Sequence, residues 1–277
     1  MFVDLTVAAR IDRAEASLCA GIVHAHPQKA QAAGLVLPIA GGQAVYDSPA
    51  SPVNKVIGLG FNGPLVITEL EAVESAWRER NEPVRVELCS LVAPEFAQTL
   101  SARGYHLQGF EDALGRTLNA LPSHETSAGI RVAPVANDAD FRSWKEISVT
   151  AFTSMDGTGS VVDDPLEREQ MENILTNMTS APGFRRYLAW LDGRAVGAAS
   201  FRIEAHLAQM CGAGTLPVAR GKGIQKALLN TRLVDAHAAG CDLAVVTTAP
   251  GSRSEENMVR RGFSLLYCRA VMIKTWE

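Results

Sequence analysis

The sequence predicts an α+β protein made of two similar domains in tandem, each built around a mixed sheet. Strand and helix patterns alternate from residue 130 to the end of the chain. The chain also aligns with itself at an offset of 158 residues, and residues 119–129 have the small, polar composition of a linker. We therefore divide it into a first domain at 1–120, a linker at 121–129 and a second domain at 130–277.

The second domain has the clearer pattern of elements. Apolar positions at helical spacing predict a helix over 223–239, in the order Ile224, Ala227, Leu228, Thr231, Val234 and Ala238. The Asp192-Gly193 dipeptide predicts a hairpin turn. Strands are predicted at 130–135, 186–191, 195–203, 206–216, 243–247 and 264–274, and further helices at 138–152, 165–178 and 254–261.

The internal repeat needs no gap from Phe61 to Thr117. At the offset of 158, Arg103-Gly104-Tyr105 aligns with residues 261–263, which also read Arg, Gly and an aromatic residue. Identities are few, so a chance match is the alternative. The shared order of strand, helix and Gly-aromatic stop favours two copies of one fold.

Composition excludes several classes of function. The net charge of −4 provides no strong field for nucleic acid or anionic lipid, and no window reaches the roughly 18 apolar residues of a membrane span. The first residues lack a signal-peptide pattern, so we expect a cytoplasmic protein. Five widely spaced cysteines without a CxxC pair predict free thiols, a nucleophilic cysteine being the minor alternative. Six histidines form no HExxH motif, and we expect no metal.

One segment carries the chemistry. Residues 216–224 join a strand to a helix, and Gly221 and Gly223 allow the backbone to turn tightly beside a ligand. The N–H groups at the start of the helix are unpaired, and Arg220 and Lys222 add positive charge. Such a turn binds a phosphate or diphosphate. The segment is not a Walker loop, and Gly212-x-Gly214 lacks the third glycine of a dinucleotide fingerprint.

This segment resembles the signature of the GNAT family of N-acetyltransferases, [Arg/Gln]-x-x-Gly-x-[Gly/Ala]. The last position departs from the pattern, since Gln225 stands where Gly or Ala is usual. The resemblance covers residues 130–277 and implies the acyl-CoA N-acyltransferase fold. It also implies acetyl-CoA as cosubstrate and an amine of a small molecule or peptide as acceptor. The order of strand, loop and helix and the Gly262-Phe263 helix end fit the family.

The resemblance also implies the residues that bind acetyl-CoA. Backbone groups of Leu216 and Val218 pair with the pantetheine arm, and the Val218 N–H is the simplest donor to the oxyanion. Ser254 and Asn257 face the pantetheine or the thiol, with helix capping as the alternative. The loop amides that hold the diphosphate belong to Arg220, Gly221, Lys222, Gly223, Ile224 and Gln225.

The catalytic residues of the family are not matched. Its members often carry a carboxylate on the fourth strand, but residues 206–212 contain no acid, and Met258 stands at the usual tyrosine position. We expect Tyr267 and Gln209 to position the reactants, the alternative for Tyr267 being a packing role. Glu204 and Asp156 are further candidates for proton removal.

The first half lacks the phosphate-binding turn. Its equivalent of residues 220–223 is Asn62-Gly63-Pro64-Leu65, in which proline has no N–H and leucine replaces the second glycine. We expect this half not to bind CoA. The alternatives to an enzyme are a non-catalytic acyl-CoA sensor and a two-domain interaction protein. A homodimer is one assembly that the sequence allows.

Overall fold

A computed structural model of the protein describes residues 3–25, 34–119, 129–153 and 168–276. None of the described helices is long and apolar enough to cross a membrane. The helices are α1 (Leu5–His24), α2 (Ile67–Glu79), α3 (Glu95–Ala102), α4 (Asp138–Thr153), α5 (Arg168–Met178), α6 (Ile224–Ala238) and α7 (Arg253–Val259). The strands are β1 (Leu35–Ile39), β2 (Gly42–Tyr46), β3 (Lys55–Ile57), β4 (Val84–Cys89), β5 (His106–Thr117), β6 (Ile130–Pro134), β7 (Phe184–Leu191), β8 (Arg194–Glu204), β9 (Leu207–Thr215), β10 (Leu243–Thr248) and β11 (Ser264–Lys274).

The chain forms two compact units. Among the described residues, the first unit contains 3–25, 34–114 and 247–276, and the second contains 115–119, 129–153 and 168–246. The strand order is β1-β2-β3-β4-β11-β5 in the first unit and β10-β9-β8-β7-β6 in the second.

The second unit is a mixed sheet with helices against its strands. Strands β6 to β9 pair antiparallel in succession, and β9 pairs with β10 in parallel. Helix α4 packs on β8 through Trp144, whose Nε1 donates to the Ala199 carbonyl at 3.1 Å. The parallel β9–β10 pair requires a crossover, and α6 provides it. The buried core beside α4 consists of Trp144, Ile147, Val149, Leu175, Leu188 and Ala198.

The first unit repeats this plan and confirms the predicted tandem fold. Strands β1, β2 and β3 pair antiparallel, β3 and β4 pair in parallel, and α2 makes the crossover. At the offset of 158, α2 falls on α6, β4 on β10, α3 on α7 and β5 on β11. The gap-free alignment of residues 61–117 therefore reflects a shared order of elements.

The compact units differ from the two consecutive domains expected from the sequence. Residues 247–276 follow the second repeat in the chain but belong to the first unit. Strand β11 pairs antiparallel with β4, from Arg269 opposite Cys89 to Lys274 opposite Val84. The repeat boundaries describe the order of elements along the chain, and the spatial units differ because the last strand joins the sheet of the first unit.

A buried cluster of charges holds β11 in the first unit. Arg269, which is fully buried, donates to Asp12 on α1 at 2.6 Å and to Glu15 at 2.6 Å, and its Nη1 lies 3.4 Å from Glu87. Lys55 also donates to Glu87 at 3.1 Å. Burial acts to raise the pKa of Glu15, but the charges of Arg269 and Lys55 outweigh it and hold that pKa below its usual value. The cluster therefore pairs the C-terminal strand with the first helix.

The five cysteines are all free thiols. Cys19, Cys89 and Cys241 are buried, whereas Cys211 and Cys268 are half-buried. Burial raises the pKa of the Cys89 and Cys268 thiols to about 11, so both are neutral near pH 7.

Replacing Arg269 by methionine should strongly destabilise the first unit. The variant leaves the carboxylate of Asp12 buried without its guanidinium partner, which typically costs about 3–5 kcal/mol. Arg13→Met, an exposed change on the same helix as Asp12, is the control and should cost less than about 0.5 kcal/mol. Urea denaturation at pH 7 measures both, and similar unfolding free energies would refute the role of the cluster.

Candidate functional site

Within the part of the chain that the structure describes, the edge of β9 that faces β10 is open over most of its length. The parallel register joins only residues 207–209 of β9 to 243–245 of β10, although β9 continues to Thr215. On the other side β9 stays paired with β8, and the Leu216 N–H still donates to the Val196 carbonyl at 2.9 Å. Because hydrogen-bonded pairs alternate along an antiparallel ladder, the backbone groups of Ala213 and Thr215 point away from β8. They can pair with an extended ligand.

A bulge interrupts β9 in the middle of this open edge. Ala199 lies opposite Ala213 and Ser200 opposite Cys211, so Gly212 is an extra residue without a partner on β8. Its φ of +34° lies outside the usual strand range. The Ser200 hydroxyl donates to the Cys211 carbonyl at 3.0 Å across the bulge.

The chain turns sharply after β9. Residues Pro217–Ala219 form one 3-10 turn, in which the Ala219 N–H donates to the Leu216 carbonyl at 2.9 Å. Two glycines with positive φ follow, Gly221 at +77° and Gly223 at +86°. A Cβ at Gly221 would meet no atom within 4 Å, so the glycine is required by its backbone conformation and not by crowding.

The start of α6 has no partner for its backbone N–H groups. Gly223 is the N-cap, no side chain caps the helix, and its first turn has no acidic residue. Among the described residues, no acceptor bonds to the N–H groups of 221–226. Arg220 and Lys222 are exposed beside them. The helix dipole and these two side chains therefore make the turn a site for an anion.

Close packing fixes the position of α6 on the sheet. A Cβ at Gly197 on β8 would lie 2.4 Å from Ile224 Cγ2 and 3.1 Å from Leu228 Cδ1, so the helix sits directly on the strand. The Gln225 side chain donates to the Thr215 hydroxyl at 3.0 Å and connects the first turn of α6 to the end of β9. Gln225, which departs from the family signature, thus has a structural partner.

The two residues predicted to pair with pantetheine differ in what they can offer. Both backbone polar groups of Leu216 have protein partners, the Val196 carbonyl and the Ala219 N–H. Val218 is 78% exposed, and its N–H has no acceptor in the described part of the chain. The structure therefore leaves Val218 as a donor and adds Ala213 and Thr215, which the sequence did not single out.

Gln209 is held by a buried arginine. Arg202 donates to the Gln209 side-chain oxygen at 3.0 Å, to the Pro182 carbonyl at 3.0 Å and to Glu204 at 2.7 Å. Gln209 itself is buried. The predicted positioning residue Gln209 and the proton-removal candidate Glu204 thus share one network on β8 and β9.

The remaining predicted residues lie outside the second unit or outside the described chain. Ser254 and Asn257 are exposed on α7, in the first unit, and the residue that caps this helix is Ser252. Their contact with pantetheine stays a prediction. Asp156 and most of the predicted linker are not among the described residues.

Tyr267 lies on β11, in the first unit, and its hydroxyl is engaged. The hydroxyl donates to Asp12 at 2.6 Å, and the side chain is buried. Burial raises its pKa well above the usual value. These contacts give Tyr267 a packing role in the charge cluster, and its part in catalysis stays a prediction.

Sequence reasoning missed Arg232, which faces the sheet from α6. The predicted apolar face included Thr231, Val234 and Ala238, but none of these three is fully buried. The buried residues of the helix are Ile224, Ala227, Leu228, Leu229, Arg232, Leu233 and Ala236. The sequence did contain a signal for this position, since Arg232 lies one helical turn after Leu228 and Leu229 and so shares their face of α6.

The fold and the uncapped turn define a class of protein, the acyl-CoA N-acyltransferase type, and comparison with known proteins agrees. Residues 142–263 match the model of the acetyltransferase (GNAT) family and are therefore a domain of that family. The family supports acyl transfer from an acyl-CoA in general. No curated protein matches the sequence of this chain.

Solved structures share the fold over 76% to 98% of this chain. A GCN5-related N-acetyltransferase from Kribbella flavida is 19% identical, with 98% of this chain and 96% of that one covered and a TM-score of 0.69. A tandem GNAT protein from the clavulanic acid biosynthesis pathway is 12% identical over 84% and 78%, with a TM-score of 0.59. A GCN5-related N-acetyltransferase from Sphaerobacter thermophilus is 17% identical over 76% and 67%, with a TM-score of 0.58. At these identities the likeness concerns the fold.

Gly197→Ala should destabilise the second unit by pushing α6 off β8. The added methyl group overlaps Ile224 Cγ2, and overpacking of this kind costs about 1–3 kcal/mol. Ile224→Ala removes the overlapping carbon, so the double variant should lose less stability than the sum of the two single variants. Urea denaturation of the four proteins measures the coupling, and additivity within about 0.5 kcal/mol would contradict this packing.

Proposed function

We propose that the protein is an acetyl-CoA-dependent N-acetyltransferase that acetylates an amine of a small molecule or a peptide. The observation that carries the proposal is the uncapped start of α6, where the N–H groups of 221–226 have no acceptor among the described residues. The GNAT domain at 142–263 contains this turn, and the open edge of β9 leads away from it.

These residues fit an acyl-CoA in charge and in shape. The amides of 221–226, with Arg220 and Lys222, suit the diphosphate, and Gly221 leaves open space above the turn. The pantetheine arm is an extended chain with two amides, which suits the outward-facing groups of Ala213 and Thr215. The thioester would then lie along β9, on the side of the turn where Gly212 bulges.

The reaction forms one C–N bond and breaks one C–S bond. A neutral amine attacks the thioester carbon, the carbonyl oxygen becomes an oxyanion, and the thiolate leaves and takes up the proton released by the amine. Backbone donors such as the Val218 N–H stabilise the oxyanion. A lysine-like acceptor has a pKa near about 10.4 and must first lose its ammonium proton. Gln209 is an amide and not a base, so we give it a positioning role through Arg202.

The first half of the chain is proposed not to bind acetyl-CoA. Helix α2, the equivalent of α6, has Glu69 in its first turn, whose carboxylate accepts from the Ala40 N–H at 3.0 Å. This negative charge and the missing N–H of Pro64 disfavour an anion at the start of α2. The first half would then support the second.

Gly223→Glu should weaken acetyl-CoA binding at least about 10-fold, since it places a carboxylate where the diphosphate binds. Gly193→Glu is the matched control, because Gly193 has a similar φ of +82° and lies in an exposed hairpin of the same unit. Calorimetric titration with acetyl-CoA measures both. Equal loss in the two variants, or no binding by the native protein, would refute the site.

A non-catalytic acyl-CoA sensor is the second candidate, favoured by the absence of an acid on β9 and by the engaged Tyr267 hydroxyl. The enzyme is expected to release free thiol from acetyl-CoA only when an amine is added. A panel of amines that includes hydroxylamine, with thiol release followed spectroscopically, separates the two. Binding without acceptor-dependent release across the panel would favour the sensor.

A further inference from the structure

Arg232 is an unusual residue in the second unit because its charge is buried and no carboxylate of the described residues pairs with it. The side chain is 1% exposed and lies between α6 and the sheet. Its Nη1 donates to the Ser200 carbonyl at 2.8 Å and its Nε to the Leu228 carbonyl at 3.2 Å. No carboxylate of the described residues forms an ion pair with it, and burial lowers its pKa to about 10.

A lone buried guanidinium is costly, and an apolar side chain of similar length would avoid that cost. Such a local conflict between sequence and packing is expected at functional sites more than elsewhere. The groups that contribute to its electrostatic environment are Cys211 and Tyr187. Cys211 is on β9 next to the bulge, and Tyr187 on β7 donates to Asp235 at 2.6 Å.

Arg232 contacts the sheet at the point where the β8–β9 register shifts. Its acceptor, Ser200, is the residue opposite Cys211, immediately before the unpaired Gly212. The Ser200 hydroxyl donates to the Cys211 carbonyl at 3.0 Å. Ser200 therefore accepts from the Arg232 guanidinium through its carbonyl and links β8 to β9 through its side chain. The bulge determines which amides of β9 face the open edge, because one extra residue exchanges the inward and outward positions beyond it.

We propose that Arg232 is a positioning residue for acyl transfer, which fixes the bulge of β9 through Ser200 and places an uncompensated positive charge beneath it. This rests on the proposed function, since the open edge beside the bulge is where the thioester would lie. A fixed charge in a poorly solvated position stabilises the oxyanion that forms on the thioester oxygen. A rigid bulge also holds the outward-facing amide of Ala213 in place.

The test compares Arg232→Met and Arg232→Lys with Arg194→Met, a control at an exposed arginine on β8. We expect Arg232→Met to lower kcat for acetyl transfer about 10- to 100-fold. Its Kd and KM for acetyl-CoA should stay within about 3-fold, because the amides of 221–226 are unchanged. Arg232→Lys retains the charge but not the forked donors, and should lose about 3- to 10-fold in kcat. The acceptor is the best amine of the panel, or hydroxylamine.

A second measurement separates positioning from general stability. Gly214 lies beside the bulge, and by the alternation of the antiparallel ladder its N–H pairs with Ala198 on β8. Its amide hydrogen exchange should be faster in Arg232→Met and unchanged in Arg194→Met. Native kcat in Arg232→Met, or a loss confined to Kd, would overturn the proposal. If Arg232→Met does not fold, Arg232→Lys carries the test, and native kcat in that variant overturns it. A native protein that neither binds acetyl-CoA nor acetylates any amine would instead refute the proposed function, whatever the Arg232 variants do.

Discussion

The parallel pairing of β9 with β10 ends after three residue pairs, and the geometry of the candidate site depends on this early end. Beyond Gln209, β9 has a partner on one side only among the described residues, so the backbone groups of Ala213 and Thr215 are left for a ligand. The same crossover that makes the strands parallel places the start of α6 at the end of this edge. The open edge of β9 and the start of α6 therefore lie next to each other because one crossover connects β9 to β10.

Charge is used in different ways in the two units. In the first, Arg269 is surrounded by carboxylates, and this pairing joins β11 to α1, which lie at opposite ends of the chain. In the second, Arg232 has backbone carbonyls as its acceptors and keeps its charge uncompensated. Paired buried charges contribute structural specificity, whereas an unpaired one is retained at a cost, and a role beside the reacting atoms would explain the difference.

The sequence predicted the elements of the second half closely, because hydrophobic periodicity and glycine turns are local signals. The helix expected over 223–239 is α6, and the strand expected over 264–274 is β11. The partner of β11 was not predictable, since the contact between Arg269 and Asp12 joins residues more than 250 positions apart. The glycine turn at 221–223 could be predicted for the same reason as the helices, because its signal is local in the sequence. The bulge at Gly212 and its contact with Arg232 depend on cross-strand register, which one sequence does not determine.

The two halves share one order of elements and differ where the chemistry would be. Helix α6 begins without an acid after two glycines of positive φ, whereas α2 has Glu69 in its first turn, and neither helix has a side-chain cap. Both helices make the same crossover and pack on their own sheets, so the fold does not need the second glycine or a first turn without an acid. The second glycine and the acid-free first turn of α6 therefore have no structural purpose that α2 does not fulfil without them. Their retention in one half alone is the physical argument for placing ligand binding there.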